Sequence, residues 1–403
     1  MEPVTPEPGG RDGAPLRIAY VLGTTAGGTG PHVAMLAQGC AARGMTVRVF
    51  GPAETGRRYF PGQQEPATGG TGDGPARPYG FAAVAIGEQP RPGRDLAAVL
   101  RLRRLLRDWA PDIVHAHGLR AGAFAALADG PGALVVTVHN APPAAAPARI
   151  IHTALERLTA RRADAVTWVS GDLGARMRRA GARDGGRAVI AAPAVAVPPA
   201  DQVAAARASL GEGGRPVIFA AGRLAAQKGF GVLIDAAVWW QGRGPAPVLA
   251  IAGEGPLADE LAARARGAGV PVRFLGRRDD VPALMAAADV VVVPSLWEGQ
   301  PLVVQEALRA GRPVVASRTG GIPELTGEDG ALLVPPEDAT ALAQAVLTVL
   351  DDPVGAARLE AAATERARTL PGAGDAVDSV ATLYERVRRA TASRTGQKIR
   401  NRP

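Results

Sequence analysis

Two cations lie five residues apart at Arg223 and Lys228, in a run (222–229) that follows one apolar stretch and leads into a predicted helix. A guanidinium and an ammonium beside a helix N-terminus suit a diphosphate, because the fixed charges and the helix dipole both favour an anion. The chain contains only two lysines, Lys228 and Lys398, so a lysine at this place indicates a selected point charge. An ordinary basic surface turn is the alternative interpretation.

Two carboxylates, Glu298 and Glu306, follow a later apolar run at 289–294. The pattern predicts that Glu298 lies in a loop and that Glu306 lies about one and a half turns into a helix beginning near Pro301. Hydroxyl pairs on a sugar ring and on a ribose are natural partners for two fixed acceptors. The alternative is that these acidic residues simply complement the helix dipole.

A glycine-rich segment follows the first apolar run and includes Gly27, Gly28 and His32. Glycines at the start of a helix allow a ligand to approach the backbone closely. The segment does not match the dinucleotide-binding fingerprint, because Val33 occupies the position of the third glycine. Taken alone, it also fits a plain tight turn.

Three histidines are found where predicted strands end: His115 and His117 at one strand, His139 at the next. A metal pair is one interpretation, but no acidic residue lies nearby in the sequence to complete a site. A buried structural role for His115 is favoured. His139 is followed by Asn140 and a proline pair, which places it better to meet a ligand in a cleft.

These residues are predicted to lie on alternating strands and helices, which indicates parallel sheets covered on both faces. The predicted strands fall into two series: 16–22, 46–50, 81–86, 113–115, 134–139 and 165–169, then 216–220, 248–252, 273–275, 290–293, 313–316 and 332–334. We therefore expect two doubly wound α/β domains, at 1–195 and 200–371, joined by a proline-rich linker at 193–199. Ligands of such sheets bind at the carboxyl ends of the strands, here facing a cleft between the domains. Residues 52–80, dense in glycine and proline, are predicted to form a long loop.

Composition narrows the function classes. The chain has 403 residues, 47% of them apolar, and one cysteine, which excludes a disulfide framework and a cysteine-based zinc site. No apolar run approaches the length of a membrane span, and the N-terminus does not resemble a signal peptide, so we expect a cytoplasmic protein. The net charge of +8 is concentrated in seven basic residues after position 385. The tail at 393–403 and the arginine-rich helix at 95–109 leave peripheral contact with an anionic membrane open, against a frayed terminus and an ordinary solvated helix. No nucleic-acid partner is expected.

From about residue 16 to residue 389 the chain resembles the retaining glycosyltransferases of the GT-B fold, in the family 4 group that uses nucleotide-diphosphate sugars. The resemblance rests on Gly27-Gly28 with His32, and on five further motifs: VHAHG at 114–118, TVH at 137–139, GRLAAQKG at 222–229, AGEGPL at 252–257, and the Glu-x7-Glu pair of Glu298 and Glu306. It implies two Rossmann-like domains facing a cleft, with a C-terminal helix at about 372–392 crossing back to the first domain.

The resemblance also implies roles. Arg223 and Lys228 would bind the donor diphosphate and stabilise it as the leaving group, and Glu306 would accept hydrogen bonds from the ribose. Glu298 would hold the transferred sugar, and His139 would contact it near the reacting carbon. Further donor-side positions are Gly28, Gly253, Gly255, Gly299, Gln300, Pro301 and Leu302, and the acceptor-side positions are Gly27, Gly28, His32 and His117. The expected reaction moves a hexose from a UDP- or GDP-sugar to a hydroxyl acceptor of unknown identity, with no metal and no other cofactor.

Some features leave alternatives open. Many family members have Phe-Gly where this chain has Gln300-Pro301, which leaves the donor sugar undetermined. Gly253 and Gly255 also match part of a dinucleotide fingerprint, which would suit a nicotinamide-dependent oxidoreductase, but the acidic residue expected about 20 positions further on is missing. A non-catalytic GT-B protein that only binds a nucleotide or sugar is the alternative from another functional class.

Overall fold

Two parallel β-sheets organise the computed structural model, which describes residues 14–25, 27–63, 79–143, 145–192, 197–210 and 214–400, with side chains to residue 393. The first sheet has seven strands: β1 (Arg17–Leu22), β2 (Thr46–Gly51), β3 (Gly80–Ala83), β4 (Ile113–His117), β5 (Ala133–Val138), β6 (Ala165–Trp168) and β7 (Gly185–Arg187). The second has six: β8 (Val217–Ala221), β9 (Val248–Ala252), β10 (Val272–Phe274), β11 (Val290–Val293), β12 (Val314–Ser317) and β13 (Leu332–Val334).

Helices cover both sheets. Those within the first series are α1 (Thr29–Ala42), α2 (Ala53–Tyr59), α3 (Pro92–Trp109), α4 (Leu119–Ala128), α5 (Ala146–Arg162) and α6 (Gly171–Ala180). Those that follow are α7 (Ala200–Leu210), α8 (Phe230–Ala237), α9 (Ala258–Gly267), α10 (Val281–Ala287), α11 (Leu302–Arg309), α12 (Ile322–Thr326), α13 (Ala339–Asp351), α14 (Pro353–Arg368) and α15 (Ala373–Arg400). Short 3₁₀ turns span Ala226–Lys228 and Val238–Trp240.

Both sheets are doubly wound. Their strand orders are β3-β2-β1-β4-β5-β6-β7 and β10-β9-β8-β11-β12-β13, so each chain path starts in the middle of its sheet and reverses direction once. The point of reversal opens a crevice at the carboxyl edge, where ligands of such folds bind. The expectation of two Rossmann-like α/β domains is therefore confirmed.

The strands form because their residues suit burial on both faces. Strand β11 reads Val-Val-Val-Val, and all four residues are buried. In β1, Ile18 and Tyr20 face the core under α1 and α15, whereas Ala19 and Val21 face the core under α3 and α4. β-branched and aromatic side chains fit such a pleated surface, and removing them from water supplies the main stabilisation of both domains.

Helix α15 lies against the first sheet, although it follows the second in the sequence. Its Val377 packs so closely on α1 that a Cβ at Gly39 would lie 2.4 Å from the valine Cγ2. Its Tyr384 is fully buried in the core of the first domain. The chain therefore passes between the domains twice, once after β7 and once before α15.

The predicted loop at 52–80 is wrong for its first part, because α2 occupies Ala53–Tyr59. A Cβ at Gly56 would lie 2.4 Å from the Phe81 ring, and Phe60 is fully buried, so tertiary packing outweighs the local glycine content. Residues 64–78 and 193–196 of the predicted loop and linker, and the side chains of the basic tail from Arg394, lie outside the described residues. In the part of the chain that the structure describes, no helix has the length and apolarity needed to cross a membrane.

Candidate active site

A cleft of about 850 Å³ lies between the carboxyl edges of the two sheets. It is lined by residues from both domains, so each wall is built from loops that follow strands. Twelve residues singled out from the sequence line it: Gly27, Gly28, His32, His117, His139, Arg223, Lys228, Glu298, Gly299, Gln300, Pro301 and Leu302. The structure therefore brings together motifs that are as much as 275 positions apart in the chain.

Lys228 forms an ion pair with Glu298 across the second-domain wall of the cleft. The ammonium donates a hydrogen bond to Glu298 Oε1, and the Ser295 hydroxyl donates to the same oxygen at 2.9 Å. The carboxylate is buried, with 6% of Glu298 exposed, whereas Arg223 lines the same wall and is exposed. Two cations and one carboxylate thus converge on one region, and the carboxylate pairs with the lysine.

The turn that carries Lys228 depends on the next residue. Gly229 has a φ of +65°, and a Cβ there would lie 1.9 Å from the carbonyl oxygen of Pro294. A side chain at this position would both strain the backbone and collide with the end of β11. The glycine therefore lets the Lys228 turn approach the loop that carries Glu298.

The loop at 298–301 is fixed by backbone contacts on two sides. The amide of Gly321 donates to the Glu298 carbonyl oxygen at 2.9 Å, and a Cβ at Gly320 would lie 1.7 Å from that oxygen. On the other side, a Cβ at Gly299 would lie 2.3 Å from the Val169 side chain of the first domain. Small residues at both points allow the loop to reach across the cleft.

The first-domain wall is a cluster of imidazoles. His117 Nδ1 and His139 Nε2 are 3.0 Å apart and share a hydrogen bond, with their rings stacked at 5.3 Å. The ring of His32, on α1, packs edge-on at 5.9 Å from the ring of His117. His139 and His32 both reach the cleft.

His115 lies behind this wall and is 1% exposed. Its Nδ1 is 2.7 Å from the Tyr384 hydroxyl and its Nε2 is 2.7 Å from the Thr137 hydroxyl. The Tyr384 hydroxyl in turn donates to Tyr20 at 2.9 Å, which fits an Nδ1–H tautomer of a neutral ring. The expected buried structural role of His115 is confirmed, with α15 supplying the partner.

Burial keeps this cluster uncharged. It lowers the pKa of His32 to about 3, of His115 to about 3 and of His139 to about 4. The pKa of His117 is lowered well below its usual value, first by burial and then by the neighbouring imidazoles His115, His139 and His32. The first-domain wall therefore presents neutral hydrogen-bonding groups at physiological pH.

Two predicted donor residues pack behind the wall instead of lining the cleft. Gly253 has a φ of +144°, and a Cβ there would lie 1.8 Å from the Gly222 carbonyl oxygen. A Cβ at Gly255 would lie 2.3 Å from the carbonyl oxygen of Leu224. These glycines let the loop after β9 pack on the loop that carries Arg223, and direct contact with the donor stays a prediction for both.

Glu306 lies on α11 and is half-buried, outside the residues that line the cleft. Burial raises the pKa of its carboxyl, and the nearby Arg309 acts in the opposite direction. The predicted contact of Glu306 with a ribose is not tested by this geometry.

Two models of known protein families match this chain, one in each half. The model of "Glycosyltransferase Family 4" matches residues 26–195, and that of "Glycosyl transferases group 1" matches residues 215–352. The chain is 31% identical over 374 residues to the glycogen synthase of Mycobacterium tuberculosis, covering 84% of this chain and 86% of that protein. The chain belongs to glycosyltransferase family 4. It is therefore a glycosyltransferase, an enzyme that transfers a sugar from a nucleotide sugar.

Another relative of this family 4 glycosyltransferase is also a glycosyltransferase, and two solved structures have a similar fold. It is 31% identical to the 2-deoxystreptamine glucosyltransferase of Streptomyces kanamyceticus, over 64% of this chain and 73% of that one. Among solved structures, HepE of Anabaena in complex with UDP and glucose is similar at a TM-score of 0.74, with 20% identity over 92% of this chain and 99% of that one. The sucrose-phosphate synthase of Thermosynechococcus elongatus also has a TM-score of 0.74, with 23% identity over 93% and 100%. These likenesses in structure support the GT-B fold.

The glycosyltransferase also has contacts between its domains that the sequence pattern did not reveal. The indole N–H of Trp297 donates to Asp172 of α6 at 3.0 Å, and the Gln300 amide donates to the carbonyl oxygen of Ala188 at 3.0 Å. Both bonds join the second-domain loop to the first domain. Gln300 therefore meets the first domain, and its place beside Glu298 was the only sequence signal for this contact.

A metal pair formed by His115 and His117 finds no support. Within the described residues, no group of three or more histidine, cysteine, aspartate or glutamate side chains is arranged to hold a metal ion. His115 already uses both ring nitrogens on hydroxyl groups.

Proposed function

We propose that this glycosyltransferase moves a hexose from a UDP- or GDP-sugar to a hydroxyl acceptor with retention of the anomeric configuration and without a metal ion. The diphosphate would lie against Arg223 and Lys228, and the hexose between Glu298 and His139. The observation that carries the proposal is the convergence of Lys228 and Glu298 on one cleft wall, opposite the neutral imidazole wall.

The leaving group is the part of the donor that needs most stabilisation. When the bond between the anomeric carbon and the phosphate oxygen breaks, negative charge develops on the diphosphate and positive charge on the sugar ring. Fixed cations stabilise the departing diphosphate without reorganising, and a cleft that excludes water strengthens that effect. Arg223 and Lys228 are the cleft cations that fit this role.

Retention follows if the acceptor attacks from the face that the phosphate leaves. The acceptor oxygen then forms the new bond to the anomeric carbon, and its proton passes to a phosphate oxygen of the leaving group. This route needs no nucleophile from the enzyme. The neutral state of His139 suits it, because an uncharged imidazole can accept or donate a hydrogen bond to a sugar hydroxyl without repelling the positive ring.

A ligand panel tests the donor assignment. Purified protein is heated with UDP, GDP, ADP or TDP, each at saturation, beside the Lys228→Ala variant. A nucleotide at 100 times its Kd adds about 2.7 kcal/mol to the free energy of unfolding, so we expect one of them to raise the Tm measurably. Transfer from the matching sugar nucleotides is then followed with and without EDTA, and the anomeric configuration of the product is read by NMR.

Three outcomes contradict the proposal. The absence of a shift with every nucleotide contradicts the donor site. Loss of transfer with EDTA contradicts metal independence, and an inverted product contradicts retention.

A further inference from the structure

Helix α11 contacts both segments on which the chain passes between the domains. The first passage leaves β7 through residues 188–192, and the second reaches Pro371 just before α15. Gln305 and Arg309, one helical turn apart on α11, contact these passages through four hydrogen bonds.

Gln305 binds the first passage with its whole amide group. Its Oε1 accepts from the Ala192 amide at 2.9 Å, and its Nε2 donates to the Ile190 carbonyl oxygen at 2.9 Å. The side chain is fully buried, so water cannot replace either bond. An apolar side chain here would leave two buried backbone groups unpaired, which costs more than the hydrogen bonds themselves contribute.

Arg309 binds both passages at once. One guanidinium nitrogen, Nη1, donates to the carbonyl oxygen of Ala192 at 3.4 Å, and Nη2 donates to the carbonyl oxygen of Pro371 at 3.2 Å. The two passages are 179 positions apart in the sequence, and a single planar group joins them. The fork geometry of arginine allows this, whereas a lysine would supply only a point charge.

Helix α11 also carries part of the donor site that the proposed function assigns to the second domain. It begins at Leu302, directly after the loop at 298–301, and Glu306 lies between Gln305 and Arg309. A helix moves as a rigid element. Its attachment to the passages therefore fixes how the loop at 298–301, which we call the donor loop, faces the first-domain wall. Neither Gln305 nor Arg309 lines the cleft, and both would act through the helix.

We infer that Gln305 and Arg309 are positioning residues. By binding helix α11 to both interdomain passages, they set the orientation of the donor loop relative to the imidazole wall. The inference rests on the proposed function for its assignment of the donor side. It predicts that their loss misaligns the reacting groups while the nucleotide, held by the second domain, still binds.

The kinetic test compares Gln305→Leu with Gln344→Leu, a matched change at an exposed position of α13. We expect kcat of Gln305→Leu to fall about tenfold or more, since small misplacements of reacting groups are costly, while the affinity for UDP or GDP stays within about threefold. Gln344→Leu should match the wild-type protein. Unchanged kcat in Gln305→Leu, or an equal loss of nucleotide affinity, would overturn the inference.

Arginine variants separate positioning from general destabilisation. Arg309→Met should reproduce the loss of kcat, and Arg309→Lys should recover only part of it. Arg312→Met is the control, because Arg312 pairs with Glu360 inside the second domain at 3.2 Å. Arg309→Met should also raise the pKa of Glu306, since Arg309 is the group that lowers it. Equal losses in Arg309→Met and Arg312→Met would contradict a role tied to the passages.

Hydrogen exchange decides the inference without any transfer assay. The Ala192 amide should exchange faster in Gln305→Leu than in the wild-type protein, because its acceptor is gone. UDP or GDP should slow exchange at residues 190–192 in the wild-type protein and not in the variant.

If the wild-type protein transfers no sugar, the proposed function fails. Unchanged protection of Ala192 in Gln305→Leu overturns the positioning role by itself.

Discussion

The two walls of the cleft differ in charge although they occupy equivalent places in two similar sheets. The first-domain wall presents His32, His117 and His139, all held neutral by burial. The second-domain wall presents Lys228 and Glu298 as an ion pair, with Arg223 exposed beside them. Both walls follow parallel strands, so the fold provides the position and the loop residues decide the charge.

The difference separates two tasks in one reaction. Charge that develops on a departing diphosphate needs fixed cations, and these lie on the second-domain side. A sugar or an acceptor offers neutral hydroxyl groups, which imidazoles can bind without introducing a charge.

The largest effect is expected from Lys228→Ala. Removing the ammonium should lower kcat/KM by about 10²–10³-fold, because the leaving group loses a fixed cation. Of the two hydrogen bonds that the described residues donate to the Glu298 carboxylate, the change removes the one from Lys228 and keeps the one from Ser295, so the Tm should fall modestly while the fold is kept. Steady-state kinetics and circular dichroism measure both effects.

A charge change at a residue that does not line the cleft is the control for Lys228. Arg278→Ala removes a cation that pairs with Asp280 on the surface of the second domain at 2.6 Å. It should leave turnover unchanged. Near-normal turnover in Lys228→Ala, or a similar loss in Arg278→Ala, would remove the distinction between a charged wall and the rest of the surface.

Glu298→Gln should separate sugar binding from phosphate binding. Transfer should fall by about tenfold to 100-fold if the carboxylate holds the sugar. Affinity for UDP or GDP alone should stay the same or rise, because Lys228 no longer has a carboxylate competing with the phosphate. Isothermal titration with the nucleotide measures this, and a clear loss of nucleotide affinity would place Glu298 on the nucleotide and not on the sugar.

Glu306→Ala should have the opposite pattern, with a loss of nucleotide affinity of about tenfold or less. The carboxyl has a raised pKa through burial. In the wild-type protein, the affinity gained from the charged carboxylate should therefore be present above that raised pKa and decline as pH falls through it. Titrations across this range with both glutamate variants would show whether ribose and sugar contacts are separate, and equal losses in the two would contradict separate roles.

The sequence predicted the strand edges better than the contacts between the walls. Apolar runs such as Val290–Val293 predict buried strands of a doubly wound sheet, so β9 and β11 end where the sequence predicted. The cleft positions of Lys228, Glu298 and His139 followed in the same way from the predicted ends of β8, β11 and β5. These residues could be placed because each lies in the segment that follows a strand.

Features that depend on distant partners could not be read. Helix α2 forms because Gly56 packs on Phe81, and the local sequence pattern does not predict that contact. Strand β7 reads Gly-Gly-Arg, so it has no apolar residue from which a strand could be predicted. The hydrogen bonds of Gln305 to the first passage span 113 and 115 positions, and a glutamine on a helix gives no hint of them.

The smallest expected effect concerns His115, behind the neutral wall, and is seen in stability. In the folded protein the pKa of His115 is about 3, against an ordinary value of 6.5. As pH falls below about 6.5, the unfolded chain therefore takes up the proton first, and the free energy of unfolding decreases until the folded-state pKa is reached. Above that range the histidine contributes no pH dependence. His115→Gln should reduce the slope of stability against pH by up to about 1.4 kcal/mol per pH unit between pH 4 and 6.

His152→Gln provides the matched control for that slope. His152 is half-buried and faces Glu156, whose charge partly opposes the effect of burial on its pKa. Its replacement should therefore change the slope less than the replacement of His115. Urea denaturation at several pH values gives the free energies needed. Equal slopes in the wild-type protein and in His115→Gln would mean that His115 can be protonated in the folded protein, and a positive charge would then lie directly behind the imidazole wall in mildly acidic solution.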